Sequence, residues 1–464
     1  MFGAIIGDII GSPYEFDMNN IKRTDFILFS SKSCFTDDSV LTIAVAEALI
    51  DSGLDEIKFE EELVKKLKEY GKRYPNAGYG GRFIGWLMSD NPKPYGSFGN
   101  GSAMRVSSIG WLLDNLNDVE LFAEISAKIT HNHPEGIKGA KAVAGAIYLA
   151  RMGFNKKQIR KYIVDNYSYD LSKTCDEIRP TYHHVESCQE TVPQALTAFF
   201  EGVSFEDCVR LAISLGGDSD TLTCITASVA EAYYGIPELI KKVGYSYLDE
   251  FLKDKVEKYK SFVSKNRKNK KILIDNLVKI LPCLEQAMLH KDRYKTDYEN
   301  WLEIIIQGKA GRKIYDYVLE TGLGRDYNKL YSLIEFDKYN EKYIDIIKNA
   351  PKGILYAIIT DIVMMNHAFE GTLEYYCQNG TLVEVVRELM KNLKYNHNAI
   401  THESKWVMLD SGEGIKSVTW ENVPKCYDCK YSNGTKCDYY KKLKIWTDEY
   451  LPKCSKYVKK NGNK

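Results

Sequence analysis

The chain carries no net charge, because 63 lysines and arginines are matched by 63 aspartates and glutamates. That balance removes the broad electrostatic case for nucleic acid or an anionic membrane as a partner. Only the tail from Lys425 is locally basic. No stretch reaches the roughly 18 uninterrupted apolar residues of a membrane span. The apolar opening MFGAIIGDIIGSPYEF lacks a basic leader and is interrupted by Asp8 and Glu15, so it does not read as a signal peptide. A bacterial-type cytosol, hence a cytoplasmic protein, is the default expectation. Strand–helix alternation of the βαβ kind is missing, and no short-period repeat is found. The 11 cysteines are an odd number, and most stand singly among apolar residues, as Cys208 and Cys224 do. These read as buried thiols.

What is present is enough for more than one domain. The chain has 464 residues and 44% hydrophobic content, which fills an ordinary core. Residues 1–264 are dense in alanine, glycine and helical apolar spacing. A basic run, SKNRKNKK, follows at 264–271, read as a linker or an exposed helix end. Residues 272–400 form a second, mainly helical block, and 401–464 a cysteine-bearing tail. The expected class is all-α. Gly3, Gly7 and Gly11 recur every four residues on one helix face. Glycine there weakens the helix, and the compensation is close approach of another backbone.

The stretch CFTDDSVLTIAVAEALI, residues 34–50, puts Asp37 and Asp38 between Thr36 and Ser39 at the mouth of a helix that is apolar on every side. Helix capping explains one acidic residue at such a place. A second carboxylate, if buried, needs a partner. LGGDSDT at 215–221 precedes another all-round apolar helix. Two acidic mouths can converge, gathering Asp37, Asp38, Asp218 and Asp220, with Thr36 and Thr221 as neutral oxygens. An all-oxygen set without His or Cys suits hard cations, Mg²⁺ or Mn²⁺. Four negative charges balance two divalent ions, an arrangement that orients a nucleophile and a substrate oxygen together.

Other residues fit beside such a centre. GSPYEF delivers Glu15 in a turn, as a candidate general base toward water. YGSFGNGSAMR, residues 95–105, is a glycine-rich loop entering a helix, where backbone N–H groups can cradle phosphate. THNHPEG puts His131 and His133 just before Pro134. His131 is the candidate for a diphosphate contact, held neutral by the helix terminus, and His133 reads as structural.

With these residues in view, residues 1–264 resemble the ADP-ribosylglycohydrolase family, which includes dinitrogenase reductase-activating glycohydrolase. The matching stretches are GAIIGDIIGSPYEF, FTDDSVLTIAVAEAL, FGNGSAMRV, THNHPEGIKGAKAVAGAI and SLGGDSDTLTCITASVAEAYYG. The resemblance implies a compact multi-helix domain with a binuclear Mg²⁺ or Mn²⁺ centre in a cleft. Its ligands would be Thr36, Asp37, Asp38, Asp218, Asp220 and Thr221. Glu15 and Asp37 would be catalytic. Gly101, Ser102, Ala103, Met104, Arg105 and His131 would bind ADP-ribose. Ser39 stands where many members carry threonine. The implied reaction is hydrolysis of the bond between ADP-ribose and an acceptor: a protein side chain, a nucleobase or a small molecule. The competing reading is a non-catalytic ADP-ribose-binding module that recruits the second half to a modified target.

The second block is weakly similar to a family of uncharacterised bacterial domains through residues 361–393, and no function comes with it. In the tail, Cys426 and Cys429 form a C-x2-C pair, followed by Cys437 and Cys454. Four thiolates can hold one Zn²⁺ tetrahedrally. An iron–sulfur cluster uses the same four, and free thiols are the second reading. Alternating lysine and tyrosine there offers a weak case for nucleic acid.

Overall fold

A computed structural model describes residues 1–278, isolated positions between 281 and 318, residues 322–369 and 372–393, and the strand residues 405–410 and 414–419. The chain divides into two units, Met1–Asn266 and Arg267–Lys464. The division falls inside one helix, Glu250–Val278, so the basic run is helical backbone.

The first unit is built of helices, with a single isolated bridge between Gly99 and Ser187 among its described residues. Those that position the site are α1 (Phe2–Gly11), α2 (Asp37–Asp51), α3 (Glu56–Arg73), α4 (Gly81–Met88) and α5 (Gly101–Met104). Further on come α6 (Ser107–Leu112), α7 (Leu116–Lys128), α8 (Pro134–Arg151), α9 (Lys156–Tyr167) and α10 (Cys175–Ile178). The unit then adds α11 (Cys188–Glu201), α12 (Phe205–Leu215), α13 (Ser219–Tyr234) and α14 (Glu238–Ser246).

The two apolar stretches become the central helices. Val40, Ala44, Val45 and Ala48 of α2 are fully buried, as are Leu222, Ile225, Ala227 and Ala230 of α13. The glycine face of α1 lies on α13. A Cβ at Gly3 would stand 2.2 Å from Ala227 O, one at Gly7 2.4 Å from Thr223 O, and one at Gly11 2.5 Å from Ser219 O. No larger residue fits. Each glycine costs about 1 kcal/mol of helix stability relative to alanine, and the return is backbone-to-backbone contact that brings the end of α1 onto the start of α13. Cys175, Cys188, Cys208 and Cys224 are buried free thiols, as the sequence suggests.

In the second unit the helix Lys352–Ala368 lies against Thr372–Gln378 and Thr381–Asn392. Its Asp361 is fully buried and accepts from Lys338 Nζ at 3.1 Å and Tyr343 OH at 2.5 Å. Residues Lys405–Asp410 and Gly414–Thr419 form an antiparallel hairpin, Lys405 opposite Thr419. This hairpin lies in the cysteine-bearing tail, and every other described element is a helix, as the all-α expectation has it. Cys426, Cys429, Cys437 and Cys454 lie outside the described residues.

Candidate active site

The mouth of α2 answers part of the question its sequence raises. Thr36 is extended (φ −119°, ψ −164°) and caps the helix, its hydroxyl accepting from the Asp38 N–H at 3.4 Å. Capping is therefore satisfied by the threonine, and the aspartates are left for other work. Asp38 is 1% exposed. Its Oδ2 accepts from Thr221 Oγ1 at 2.9 Å, and its Oδ1 is buried with no partner among the described residues. Asp37 points along the cleft wall, with Oδ1 3.4 Å from where a Cβ on Gly78 would stand.

Asp8 of α1 is the acid the sequence reading passed over as a mere interruption. It is fully buried. It accepts from the Thr36 N–H at 2.9 Å, Thr36 Oγ1 at 2.6 Å, the Ser39 N–H at 3.1 Å and the Ser39 hydroxyl. The Ser39 hydroxyl thus has a definite job, which a threonine hydroxyl could also do. Asp8 fixes the capping threonine and closes the mouth of α2 onto α1.

The mouth of α13 is made by two glycines. Gly216 and Gly217 have φ +76° and +78°, the left-handed region that favours glycine. A side chain there would also strike Lys22 or Tyr182, since the added Cβ would lie 2.8 Å from Lys22 Nζ and 2.7 Å from a Tyr182 ring carbon. The turn presents Asp218, whose Oδ2 accepts from Asn100 Nδ2 at 2.7 Å, and Asp220, whose Oδ1 accepts from the Thr221 N–H at 2.9 Å.

The two mouths and the α1 end converge. Carboxylate oxygens of Asp8, Asp38 and Asp220 lie within 4.8 Å of one another, and so do those of Glu15, Asp218 and Asp220. Asp220 is common to both groups. Asp37 belongs to neither, although it lines the same cleft. Among the described residues no lysine or arginine forms an ion pair with Asp8, Glu15, Asp37, Asp38, Asp218 or Asp220. The electrostatic consequence is plain. Burial raises Asp8 to about 6, offset in part by hydrogen bonds from Ser39 and Thr36. Burial raises Asp218 to about 6 against the bonds it accepts. Burial and the Asp220 charge push Asp37 and Asp38 well above the usual carboxylate range, and burial with the Asp218 charge does the same to Asp220. Glu15 rises to about 7 through burial and Asp220, with His184 opposing. Like charges this close resist ionising together unless a cation joins them. Oxygen-only donors, an orphaned buried Asp38 Oδ1 and two overlapping carboxylate groups fit a pair of hard divalent ions.

The cleft has a volume of about 240 Å³. Glu15 enters it from a segment tied down by Asn19 Nδ2 to Glu15 O at 2.8 Å and by the His184 N–H to Asp17 Oδ1 at 2.8 Å. Of the predicted binding residues Gly101–Arg105, Gly101, Met104 and Arg105 line the cleft, beside Tyr95, Ser97, Gly99 and Asn100 of the same loop. Ser102 Oγ instead donates to Gly136 O at 2.7 Å, and Ala103 is fully buried. Arg105 is 1% exposed and spends its guanidinium on Ser126 O at 2.6 Å and Thr130 Oγ1 at 2.9 Å. Burial lowers it to about 10. His131 lies beside Gly99 and Gly101, with Nδ1 2.7 Å from Thr130 Oγ1. Burial, then the charges of Arg105 and Arg82, hold it well below the usual imidazole range. It is neutral, as the sequence suggests, though not because of the helix terminus. His133 caps α8, accepting from the Glu135 N–H at 3.2 Å.

Sequence reasoning missed Asp8, Asn100, the Gly78–Arg82 segment, His184 and Glu186, all of which line the cleft or bond its acids. One signal for Asp8 was available, a single acid in an otherwise apolar helix beside the glycine face.

An all-helical unit with a paired acidic centre at two helix mouths defines a class. The profile of the ADP-ribosylglycohydrolase family matches residues 1–269, well over half of the chain, and the chain belongs to that family. Human (Homo sapiens) ADP-ribosylhydrolase ARH3 is 28% identical over 311 residues, covering 51% of this chain and 85% of its own length. ADP-ribosylarginine hydrolase Tri1 from Pseudomonas putida (strain GB-1) is 24% identical over 282 residues, covering 53% and 73%. A solved structure titled ADP-ribosylglycohydrolase-related protein complex aligns at TM-score 0.41 and 21% identity, over 55% of this chain and 94% of that one.

Proposed function

We propose that the protein is a metal-dependent hydrolase that cleaves ADP-ribose from an acceptor, reversing ADP-ribosylation. The observation that carries this reading is the set of buried carboxylates around Asp220, which no lysine or arginine among the described residues pairs with. Family membership and similarity to proteins named as ADP-ribosyl hydrolases support the reaction class. Two Mg²⁺ or Mn²⁺ would be held by Thr36, Asp37, Asp38, Asp218, Asp220 and Thr221, with Asp8 orienting Thr36. When bound, such ions supply Lewis-acid orientation of sugar hydroxyls and water.

The rest is done by the chain itself. Asn100 aims Asp218. Glu15 stands at the centre on a fixed segment and is placed to take a proton from water at its carboxylate. The surrounding acids favour the positive charge that develops on the ribose as the glycosidic bond breaks. The Gly101 N–H and neutral His131 offer hydrogen bonds to the diphosphate, since the Gly99 and Asn100 N–H groups already donate to Ser97 Oγ at 3.1 Å and Glu186 O at 2.7 Å. The second unit serves as a regulatory or substrate-recruiting module in this reading.

The test is release of free ADP-ribose from arginine-, serine- and nucleobase-linked substrates, with Mg²⁺ or Mn²⁺ and with EDTA. Metal-dependent release from one of them is the expected outcome and names the acceptor. No release from any, with ADP-ribose still bound tightly, replaces the enzyme by a binding module.

A further inference from the structure

A diphosphate brings two negative charges into a cleft whose floor is already acidic. Something on the walls must offset them. Among the described residues that line the cleft, the basic side chains are Arg82, Arg105, His131 and His184. Arg105 is sealed in the protein and bonded to Ser126 and Thr130. His131 is neutral and sunk beside the glycine loop. His184 turns its Nε2 to Glu186 Oε1 at 3.2 Å, so its neighbour is a carboxylate. Arg82 is left as the exposed guanidinium of the set.

Its surroundings suit a moving clamp. Arg82 is the second residue of α4, after the N-cap Gly80 and the first helical residue Gly81. Neither glycine has positive φ, and a Cβ on either would meet nothing within 4 Å. The fold therefore does not demand glycine at these positions, and what glycine leaves is open space beside the cleft. Arg82 touches Tyr95 twice: its guanidinium lies 4.8 Å from the Tyr95 ring centroid and donates to Tyr95 O, and no carboxylate is paired with it among the described residues. Tyr95 in turn faces His131, ring centroids 6.1 Å apart. Arg82 thus sits against the first residue of the glycine-rich loop, one aromatic ring from His131.

We infer that Arg82 is the charge that recognises the diphosphate, leaving Tyr95 to form a charge-assisted, two-pronged contact with phosphate oxygens. This rests on the reading of the cleft as an ADP-ribose site. It assigns a binding role to a residue outside the acidic centre, one that selects diphosphate-bearing ligands over nucleosides.

The experiment is calorimetric titration of the full-length chain in Mn²⁺ with ADP-ribose and with adenosine, for wild type, Arg82→Ala and Arg82→Lys, at low and high salt. Arg82 is exposed, so the variants fold, which circular dichroism checks. The expected result is a roughly tenfold or greater weakening of ADP-ribose binding by Arg82→Ala, the scale of a lost charge-assisted bond. Arg82→Lys recovers part of it, adenosine is unaffected, and the salt dependence of ADP-ribose binding flattens in the alanine variant. ADP-ribose binding within twofold of wild type in Arg82→Ala overturns the inference. So does equal weakening of adenosine, which marks Arg82 as a mere strap on Tyr95. If the wild type itself fails to bind ADP-ribose, the reading of the cleft falls and this inference falls with it.

Discussion

Two places in the first unit bury acidic side chains, and they treat them in opposite ways. Glu47 of α2 is 3% exposed. It accepts from Lys255 at 3.0 Å, Lys258 at 3.1 Å and Tyr70 OH at 2.9 Å, and lies 3.2 Å from Lys66. Burial works against its charge, yet hydrogen bonds from Lys255, Tyr70 and Lys258 and the Lys66 charge outweigh it and pull Glu47 down to about 2. Nine residues earlier on the same helix, Asp38 has threonine hydroxyls for one oxygen and, among the described residues, no partner for the other, and is pushed up. A buried acid that only holds helices together comes with its cations supplied by the chain. A buried acid cluster with none marks where a cation from outside belongs.

The sharpest break of this contrast is at Asp220. Asp220→Asn should lower kcat/KM by on the order of 10³-fold, the scale of losing a preorganised electrostatic contact. In EDTA the same variant should melt higher than wild type, because one charge leaves a crowd of like charges. Steady-state kinetics beside differential scanning calorimetry checks both. A variant that is inactive and also less stable without metal would equate this site with an ordinary salt bridge.

Glu47→Ala should behave in reverse. It removes an acid that answers three lysines, at a cost of about 3 kcal/mol by the usual penalty for breaking a buried pair. Asp51 still meets Lys66 at 2.9 Å, which keeps the loss at the low end. Turnover per folded molecule stays the same. Denaturant melts with activity normalised to the folded fraction read this out.

Acid titration separates the two places without mutation. Glu47 is below its ordinary 4.5 in the folded state, so its contribution is present above 4.5 and fades as pH falls from there toward 2. Asp8 and Asp218 at about 6 and Glu15 at about 7 are raised. The folded state binds more protons at these groups than the unfolded chain does, so metal-free stability grows as pH falls from above 7 to below 6. The metal-free protein should therefore pass through a stability maximum in mild acid, and saturating Mn²⁺ should remove the rise between pH 7 and 6. A metal-free curve flat over that interval would contradict the charge assignment.

The smallest effect belongs to the rim of the structural site. Lys258 is 42% exposed, and Lys66 and Lys255 remain when it is lost. Lys258→Ala should cost no more than about 1 kcal/mol, measurable by chemical denaturation.

Much of this was legible in the sequence because it repeats there. Thr36–Asp38 and Asp218–Thr221 each precede a helix apolar all round, and the convergence of two such mouths follows from their being central. The glycine face of α1 announced a close backbone, and α13 is that backbone. Asp8 escaped because its four donors come from Thr36 and Ser39, across a gap no periodicity spans. Arg82, His184 and Glu186 escaped because they stand where chain segments cross, and only the fold brings them to the cleft. Cys224, by contrast, needed no partner to be read, since an isolated cysteine in an apolar helix is buried by its neighbours.

The central claim is that the cleft carboxylates are a site for divalent cations. It is tested most directly by titrating Mn²⁺ into the metal-free chain at neutral pH, wild type beside Asp220→Asn, with bound ions counted by electron paramagnetic resonance. The account predicts two ions per wild-type chain and at least one fewer in the variant, since Asp220 is shared by both carboxylate groups. A folded wild-type chain that takes up no Mn²⁺ would contradict it.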